Sequence, residues 1–204
     1  MQEIRVKGLV VRTVNYGEKD RIVSLFTEEM GLITVMANGS RVLKSRSLLA
    51  TEQFCYGKYL LQQKNERYTV KEVELLESFF DIRKDVEKMA LAEYLCQVVY
   101  QTGTENQPDR DMLRLILNSL FAIASGRYPL DMVKGAFEMR AAAIFGFRPD
   151  LRTCSVGRKG SRDVLLDVEN GSVICGNCRA EQSGYEPQDS ETSTAACLLT
   201  AGAR

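Results

Sequence analysis

The 204-residue chain contains no histidine. That excludes Ser-His-Asp and Cys-His catalytic sites, and it leaves only Cys, Asp or Glu as ligands for any zinc. Neither sign of charge dominates, since 27 Lys and Arg balance 27 Asp and Glu. A zero balance neither points to nucleic acid nor excludes it, because local patches matter more than totals. No apolar run follows a basic start, so no signal peptide is expected. No apolar stretch approaches the ~18–20 residues of a membrane span. The chain also lacks a G-x-G-x-x-G after a strand and a Walker lysine, which argues against a cofactor-dependent enzyme. The expectation is a cytoplasmic protein without bond-breaking catalysis. In that compartment six cysteines are not expected to form three disulfides.

What is present falls into three regions. Residues 1–77 read as β: IRVKGLVVRTVNYG, DRIVSLFTEEMG, LITVMANGS, FCYGKYLLQQ and RYTVKEVELLES are rich in β-branched and apolar residues and bounded by turn formers. Met30-Gly31 marks one tight turn, and Lys64-Asn65-Glu66 marks a hairpin. Five strands in this length fit a closed barrel. From residue 81 the period becomes helical. In the first helix Val86, Met89, Ala90, Leu95, Val98 and Val99 recur at three- and four-residue spacing, with Asp81 or Asp85 near its start. DMLRLILNSLFAIASG is apolar on nearly every side and reads as a buried central helix. PLDMVKGAFEMRAAAIFG makes a third helix. The fold class is α+β and multidomain: a barrel over 1–80, a helical bundle over 81–150, a Cys-bearing segment over 151–182 and a polar tail over 183–204.

Between Ala37 and Thr51 lie Arg41, Lys44 and Arg46 and no acidic neighbour until Glu52, set among Asn38, Gly39, Ser40, Ser45 and Ser47. Such a loop can reach phosphates, since Arg and Lys neutralise them and release counterions; the bland alternative is a solvated loop. Arg12, Lys19, Arg21, Lys64 and Arg67 are further cations placed near the same face. Residues 1–80 hold 12 basic and 10 acidic groups, a bias too weak to establish DNA binding by itself. Tyr16, Phe54, Tyr56, Tyr59 and Tyr68 are candidates for stacking on bases, against the commoner fate of strand aromatics in a core. Phe26 and Phe54 look like core.

Cys175-Gly176-Asn177-Cys178 is a C-x-x-C knuckle, half of a familiar metal site. The other half is incomplete: Cys154 is followed by Ser155, Val156 and Gly157. Asn170-Gly171 offers a hairpin turn between the two halves. Three thiolates leave one corner of a tetrahedron to water, Asp163 or Cys197; the alternative is three free thiols. Cys55 and Cys96 sit in apolar surroundings and read as inert buried thiols.

The order of these regions, with GLVVRTVNYGEKDRIVSLFTEEMGLITVMANGSR, FCYGKYLLQQKNERYTVKEVELLESF and FEMRAAAIFGFRPDL leading into the cysteines, resembles the bacterial recombination mediators of the RecO family. The resemblance covers at least residues 4–178. It implies an N-terminal OB-fold, a helical middle and a zinc-binding insertion. It also implies binding of single- and double-stranded DNA, annealing of complementary strands, contact with RecR and with the C-terminal tail of single-strand-binding protein, indirect action on RecA, and an association with the nucleoid. By the same resemblance the cationic loop at Arg41, Lys44 and Arg46 contacts DNA. Lys134 and Arg140 of the third helix are the residues expected to receive the tail. The family's first knuckle reads C-x-x-C-G-R, so zinc is the implied cofactor, with Cys154, Cys175 and Cys178 as ligands and Gly157 where a fourth Cys would stand. A competing reading is a protein-interaction adaptor that works through the helices, and a third is a redox or metal enzyme built on the cysteines.

Overall fold

The computed structural model describes residues 2–42, 47–65, 67–147, 150–157, 164–167 and 172–181. Two compact units divide at Val133 and Lys134. The first begins with five strands, β1 (Gln2–Tyr16), β2 (Asp20–Thr27), β3 (Gly31–Ala37), β4 (Tyr56–Lys64) and β5 (Arg67–Glu77). They close into a barrel in the order β1-β2-β3-β5-β4. All neighbours are antiparallel except β3 and β5, which pair in parallel at Val35–Tyr68 and Met36–Thr69. This is the closed barrel expected from the strand count, and it is OB-like as the family resemblance implies. The two turns read from the sequence are where the chain reverses: Gly31 has φ +67° and Asn65 φ +56°.

Alternation places Val6, Val10, Val23, Leu25, Ile33, Val35, Tyr59, Leu61 and Tyr68 in one buried cluster inside the barrel. Burial of each large aliphatic among them contributes about 1.5–3 kcal/mol. Tyr59 is only 1 % exposed, and its hydroxyl donates to the Ala50 carbonyl at 2.8 Å, so the ring is buried without an orphaned polar group.

Leu9 and Phe26 pair across β1 and β2 with the opposite parity, on the barrel's outer side, yet both are buried. The reason is helix α1 (Val86–Thr102), which packs on β1 and β2. Asp85 caps it by accepting from the amides of Glu87 and Lys88, at 2.9 and 3.1 Å. Its buried stripe is Ala92, Leu95, Cys96 and Val99. Val86, Met89 and Ala90, expected in the same stripe, are exposed. They share the helical period but occupy the first turn and a half, ahead of the packed segment.

Helix α2 (Arg110–Ser125) starts at Asp109, which accepts from the Met112 amide at 2.8 Å, and stops at Gly126 with φ +63°. The expectation of burial on all sides is corrected here. Met112, Leu113, Ile116, Leu120 and Ile123 form the buried stripe, whereas Arg114, Asn118 and Phe121 are exposed. Gly31 ties the barrel to the connection between these helices. It bridges to Glu105, the Leu32 amide donates to the Thr104 carbonyl at 3.2 Å, and the Asn106 amide donates to the Met30 carbonyl at 2.9 Å.

Helix α3 (Leu130–Ile144) runs across the division between the units. The second unit contains strands β6 (Asp150–Cys154), β7 (Val164–Asp167) and β8 (Ser172–Cys175) in the order β6-β8-β7, and the short helix α4 (Gly176–Glu181). β7 and β8 are antiparallel, as the expected hairpin requires; its Asn170-Gly171 turn lies outside the described residues.

Candidate nucleic-acid surface and thiol cluster

Two turns of the barrel flank β3. The β1–β2 turn is brought there by the pairing of Arg21 with Ala37, and the β4–β5 turn by the parallel pairing of β5 with Val35 and Met36. The start of the β3–β4 loop is stitched to the first of these turns. Asp20 accepts from the Gly39 amide at 2.7 Å, the Arg41 amide donates to the Lys19 carbonyl at 3.0 Å, and the Arg41 guanidinium donates to the Gly17 carbonyl at 3.0 Å. Lys19 is exposed and Arg41 half-buried at this rim. Lys44 and Arg46 lie outside the described residues. Lys64 and Arg67 are exposed across the β4–β5 turn, where with Asn65 and Thr69 they line a shallow cleft.

Two of the expected cations have other employment. Arg21 has the same parity as Val23 and Leu25 and turns into the end of the barrel, where it is 9 % exposed. It donates to the Leu48 carbonyl at 2.8 Å and to the Thr51 hydroxyl at 3.0 Å, and it pairs with the Glu52 carboxylate. It holds the far end of the β3–β4 loop instead of joining the exposed rim. Arg12 is exposed but lies over the Tyr100 ring, 5.0 Å from its centroid, and donates to the Tyr100 hydroxyl at 3.0 Å. Among the aromatics, Phe26, Phe54, Tyr59 and Tyr68 are buried and Tyr56 is half-buried. Tyr16, beside the β1–β2 turn, is 55 % exposed and keeps its ring face available.

Lys134 and Arg140 are both exposed on α3. Their six-residue separation sets them about 120° apart around the helix, so they do not share one face.

The second unit brings Cys154, Cys175 and Cys178 together, with all three sulfurs within 4.8 Å of one another. β6 and β8 lie side by side, which sets Cys154 next to the knuckle. The amides of Gly157 and Cys175 donate to Cys154 Sγ at 3.4 and 3.3 Å. These contacts, that of Cys175 foremost, pull the Cys154 thiol down to about 6. Hydrogen bonding to Cys175 and Cys154 pushes Cys178 up to about 11. A Cβ built on Gly157 falls 2.9 Å from Cys178 Sγ and 4.0 Å from Cys154 Sγ. A side chain at the end of the broken C-x-x-C would therefore crowd the Cys178 sulfur, and Gly157 itself brings no ligand atom to the cluster. Three close thiols suit a metal ion; Asp163 and Cys197 lie outside the described residues. Cys55 and Cys96 are buried in the first unit, and burial raises both thiols above their ordinary range.

No helix among the described residues is long and apolar enough to cross a membrane.

Comparisons with known proteins agree on one family. The family models described as recombination protein O N terminal and recombination protein O C terminal match residues 1–79 and 83–199. The chain is 36 % identical over 186 residues to the DNA repair protein RecO of Acetivibrio thermocellus, covering 90 % of this chain and 74 % of that protein. It is 30 % identical to the DNA repair protein RecO of Alkaliphilus metalliredigens, over 88 % of this chain and 74 % of the relative. The DNA repair protein RecO of Dehalococcoides mccartyi is 32 % identical, over 89 % and 72 %.

Proposed function

The chain belongs to the recombination protein O family of DNA repair proteins, and from that premise we propose that it is a DNA-binding recombination mediator. It binds single- and double-stranded DNA, anneals complementary strands and helps to load RecA on DNA coated with single-strand-binding protein. It acts by holding and positioning strands, without bond-breaking chemistry.

The observation that carries this reading is the rim where the β3–β4 loop is bound to the β1–β2 turn. It gathers Lys19, Arg41 and the exposed ring of Tyr16, with Lys44 and Arg46 in the same loop and Lys64 and Arg67 at the neighbouring turn. Cations at a rim neutralise phosphates without reading bases, and an aromatic face stacks on any base. Annealing needs that combination, because two strands must be held loosely while their repulsion is screened. Helix α1 covers the outer side of β1 and β2, so the strand path we propose follows the rim of loops and not that sheet face. Arg21 belongs to this path as a positioning residue.

The division of labour we propose assigns DNA to residues 1–80 and partners to 81–150. RecR and the tail of single-strand-binding protein are the partners, and the tail's terminal carboxylate is received by a cation of α3, Arg140 in the first place. Residues 151–182 form a zinc-ribbon-like segment, followed by a tail over 183–204. Bound zinc would be held by Cys154, Cys175 and Cys178 and would cross-link β6 to the knuckle, a structural role.

A strand-annealing assay with and without single-strand-binding protein tests the reading. Annealing of complementary oligonucleotides under both conditions is expected. Purified protein that ignores oligonucleotides even in dilute buffer would leave the adaptor alternative in its place.

A further inference from the structure

We propose that Asn38-Gly39, on the cationic rim of the barrel, is a self-modification site: Asn38 sheds ammonia by way of the Gly39 amide and becomes an acid, and the hydrogen bond from that amide to Asp20 sets the rate. The chemistry stands by itself; its effect on DNA rests on the reading of the rim proposed above.

Among the described residues Asn38 is the asparagine that precedes a glycine. It is exposed, one residue past the end of β3. Gly39 has φ +62°, and a Cβ added to it would meet nothing within 4 Å. No side chain at 39 therefore shields the peptide bond between the two residues, and glycine is the residue whose backbone resists rotation least. One contact restrains it. The Gly39 amide donates to the Asp20 carboxylate at 2.7 Å. Two residues on, the Arg41 amide donates to the Lys19 carbonyl at 3.0 Å, so the same turn carries two of the rim's cations.

The reaction needs only the chain and water. The Gly39 nitrogen attacks the Asn38 side-chain carbonyl carbon, Cγ. An N–Cγ bond forms, the Cγ–Nδ2 bond breaks, and the amide proton leaves with the side-chain nitrogen as ammonia. The product is a cyclic imide. Water then opens it at either carbonyl, giving aspartate or, with the main chain rerouted through Cβ and Cγ, isoaspartate. In sum, asparagine and water give an acid and ammonia, with no change of oxidation state. While the amide is bonded to Asp20 its proton is held and its nitrogen is engaged. A charge-assisted bond of this kind is among the stronger ones, so the unaltered rim reacts slowly. Asp20 is a positioning residue in this sense. Each event places a negative charge beside Lys19 and Arg41, and modification thus marks older chains by weakening their hold on phosphates.

The test ages the full chain at physiological temperature in neutral buffer. Tryptic peptides are mapped by mass, and isoaspartyl groups are labelled with an isoaspartyl methyltransferase. The peptide 22–41 carries Asn38 and is separate from the peptide 163–179, which carries the other Asn-Gly pair, Asn170-Gly171. Acid and isoaspartate should accumulate in 22–41 of the unaltered chain and be absent from Asn38→Gln. They should accumulate about tenfold faster in Asp20→Ala, which frees the amide; Asp20→Asn, which keeps an acceptor, should fall between. Asn38→Asp should lower the slope of log affinity against log salt for single-stranded DNA by about 0.7, one phosphate contact. A 22–41 peptide that stays unmodified in the unaltered chain and in Asp20→Ala overturns the site. An equal or slower reaction in Asp20→Ala overturns the restraint. If Asp20→Ala fails to fold, the unaltered chain against Asn38→Gln decides the site and Asp20→Asn decides the restraint. An unchanged salt slope in Asn38→Asp overturns the effect on the rim. An unaltered chain that ignores oligonucleotides overturns the DNA reading instead, and the peptide result then still decides the chemistry.

Discussion

Arg21 on β2 and Glu52 at the far end of the β3–β4 loop form an ion pair, with the arginine side chain 11 % exposed and the glutamate 36 %. The pair does not stand alone, since the same guanidinium holds the Leu48 carbonyl and the Thr51 hydroxyl. One side chain from the barrel end thus anchors a turn of loop backbone. Arg21→Ala removes all three contacts and leaves a loop carbonyl short of a donor. We expect a loss of about 2–3 kcal/mol in urea unfolding. Weaker single-strand binding should accompany it, although Arg21 does not face solvent. Glu52→Gln keeps a hydrogen-bond acceptor and should cost less than half as much. Equal stability of Arg21→Ala and the unaltered chain would remove the anchoring role.

The exposed cations make a different prediction. Converting Arg41, Lys44 and Arg46 together to Ala should flatten the slope of log affinity against log salt for single-stranded DNA by about 2, since each phosphate contact contributes about 0.7. Global stability should change little, because Arg41 is only half-buried and, among the described residues, its side chain donates to a backbone carbonyl. An unchanged slope counts against the loop, whatever the affinity does.

Tyr16 and Tyr59 separate stacking from packing. Tyr16→Ala removes an exposed ring, so stability should hold while single-strand binding weakens by about 1–3 kcal/mol. Tyr59→Ala empties the middle of the barrel and should cost about 3–5 kcal/mol in unfolding. Tyr59→Phe, which loses only the hydroxyl bond to Ala50, should cost about 1 kcal/mol. Loss of DNA binding in Tyr16→Ala together with a fallen melting temperature would argue for a structural role instead.

Gly31 is required by conformation and by space at once. Its φ is +67°, and an added Cβ would lie 2.3 Å from the Thr104 carbonyl oxygen and 2.5 Å from that of Gln107. Neither oxygen can swing aside, since both belong to the backbone joining α1 to α2. Gly31→Ala should destabilise the first unit by more than the ~1–2 kcal/mol of a left-handed alanine. Thermal melts followed by circular dichroism will show this; a melting temperature within one degree of the unaltered chain would mean that the connection is slack.

Alternation and turn chemistry made the barrel legible, since β-branched runs broken at Gly31 and Asn65 specify strands with little help from distant contacts. The sides of the helices were less legible. Val86 and Met89 satisfy the helical period as well as Leu95 and Val99 do, and only the position of the barrel decides which turn is covered. The burial of Arg21 is hard to read for a related reason. Beside Lys19 it reads as one more surface charge, yet its parity with Val23 and Leu25 already pointed inward, and that was the usable signal. The meeting of Cys154 with the distant knuckle followed from spacing. That a side chain at Gly157 would meet the Cys178 sulfur needed coordinates, because spacing along the chain does not fix where a Cβ points.

Arg140 lends itself to the sharpest test of the partner surface. If its guanidinium receives the terminal carboxylate of the single-strand-binding protein tail, then the side chain and that carboxylate form one interaction, and removing either removes it. Arg140→Ala should weaken a tail peptide by about 1.5–3 kcal/mol, and amidating the peptide's C-terminus should do the same to the unaltered chain. On the Arg140→Ala background amidation should then cost almost nothing, because the charge it removes no longer has its partner. Lys134→Ala, about 120° away around α3, should retain most of the amidation effect. Isothermal titration of both peptides against the three chains measures the coupling directly. Amidation that costs as much with alanine at position 140 as with arginine would place the carboxylate elsewhere.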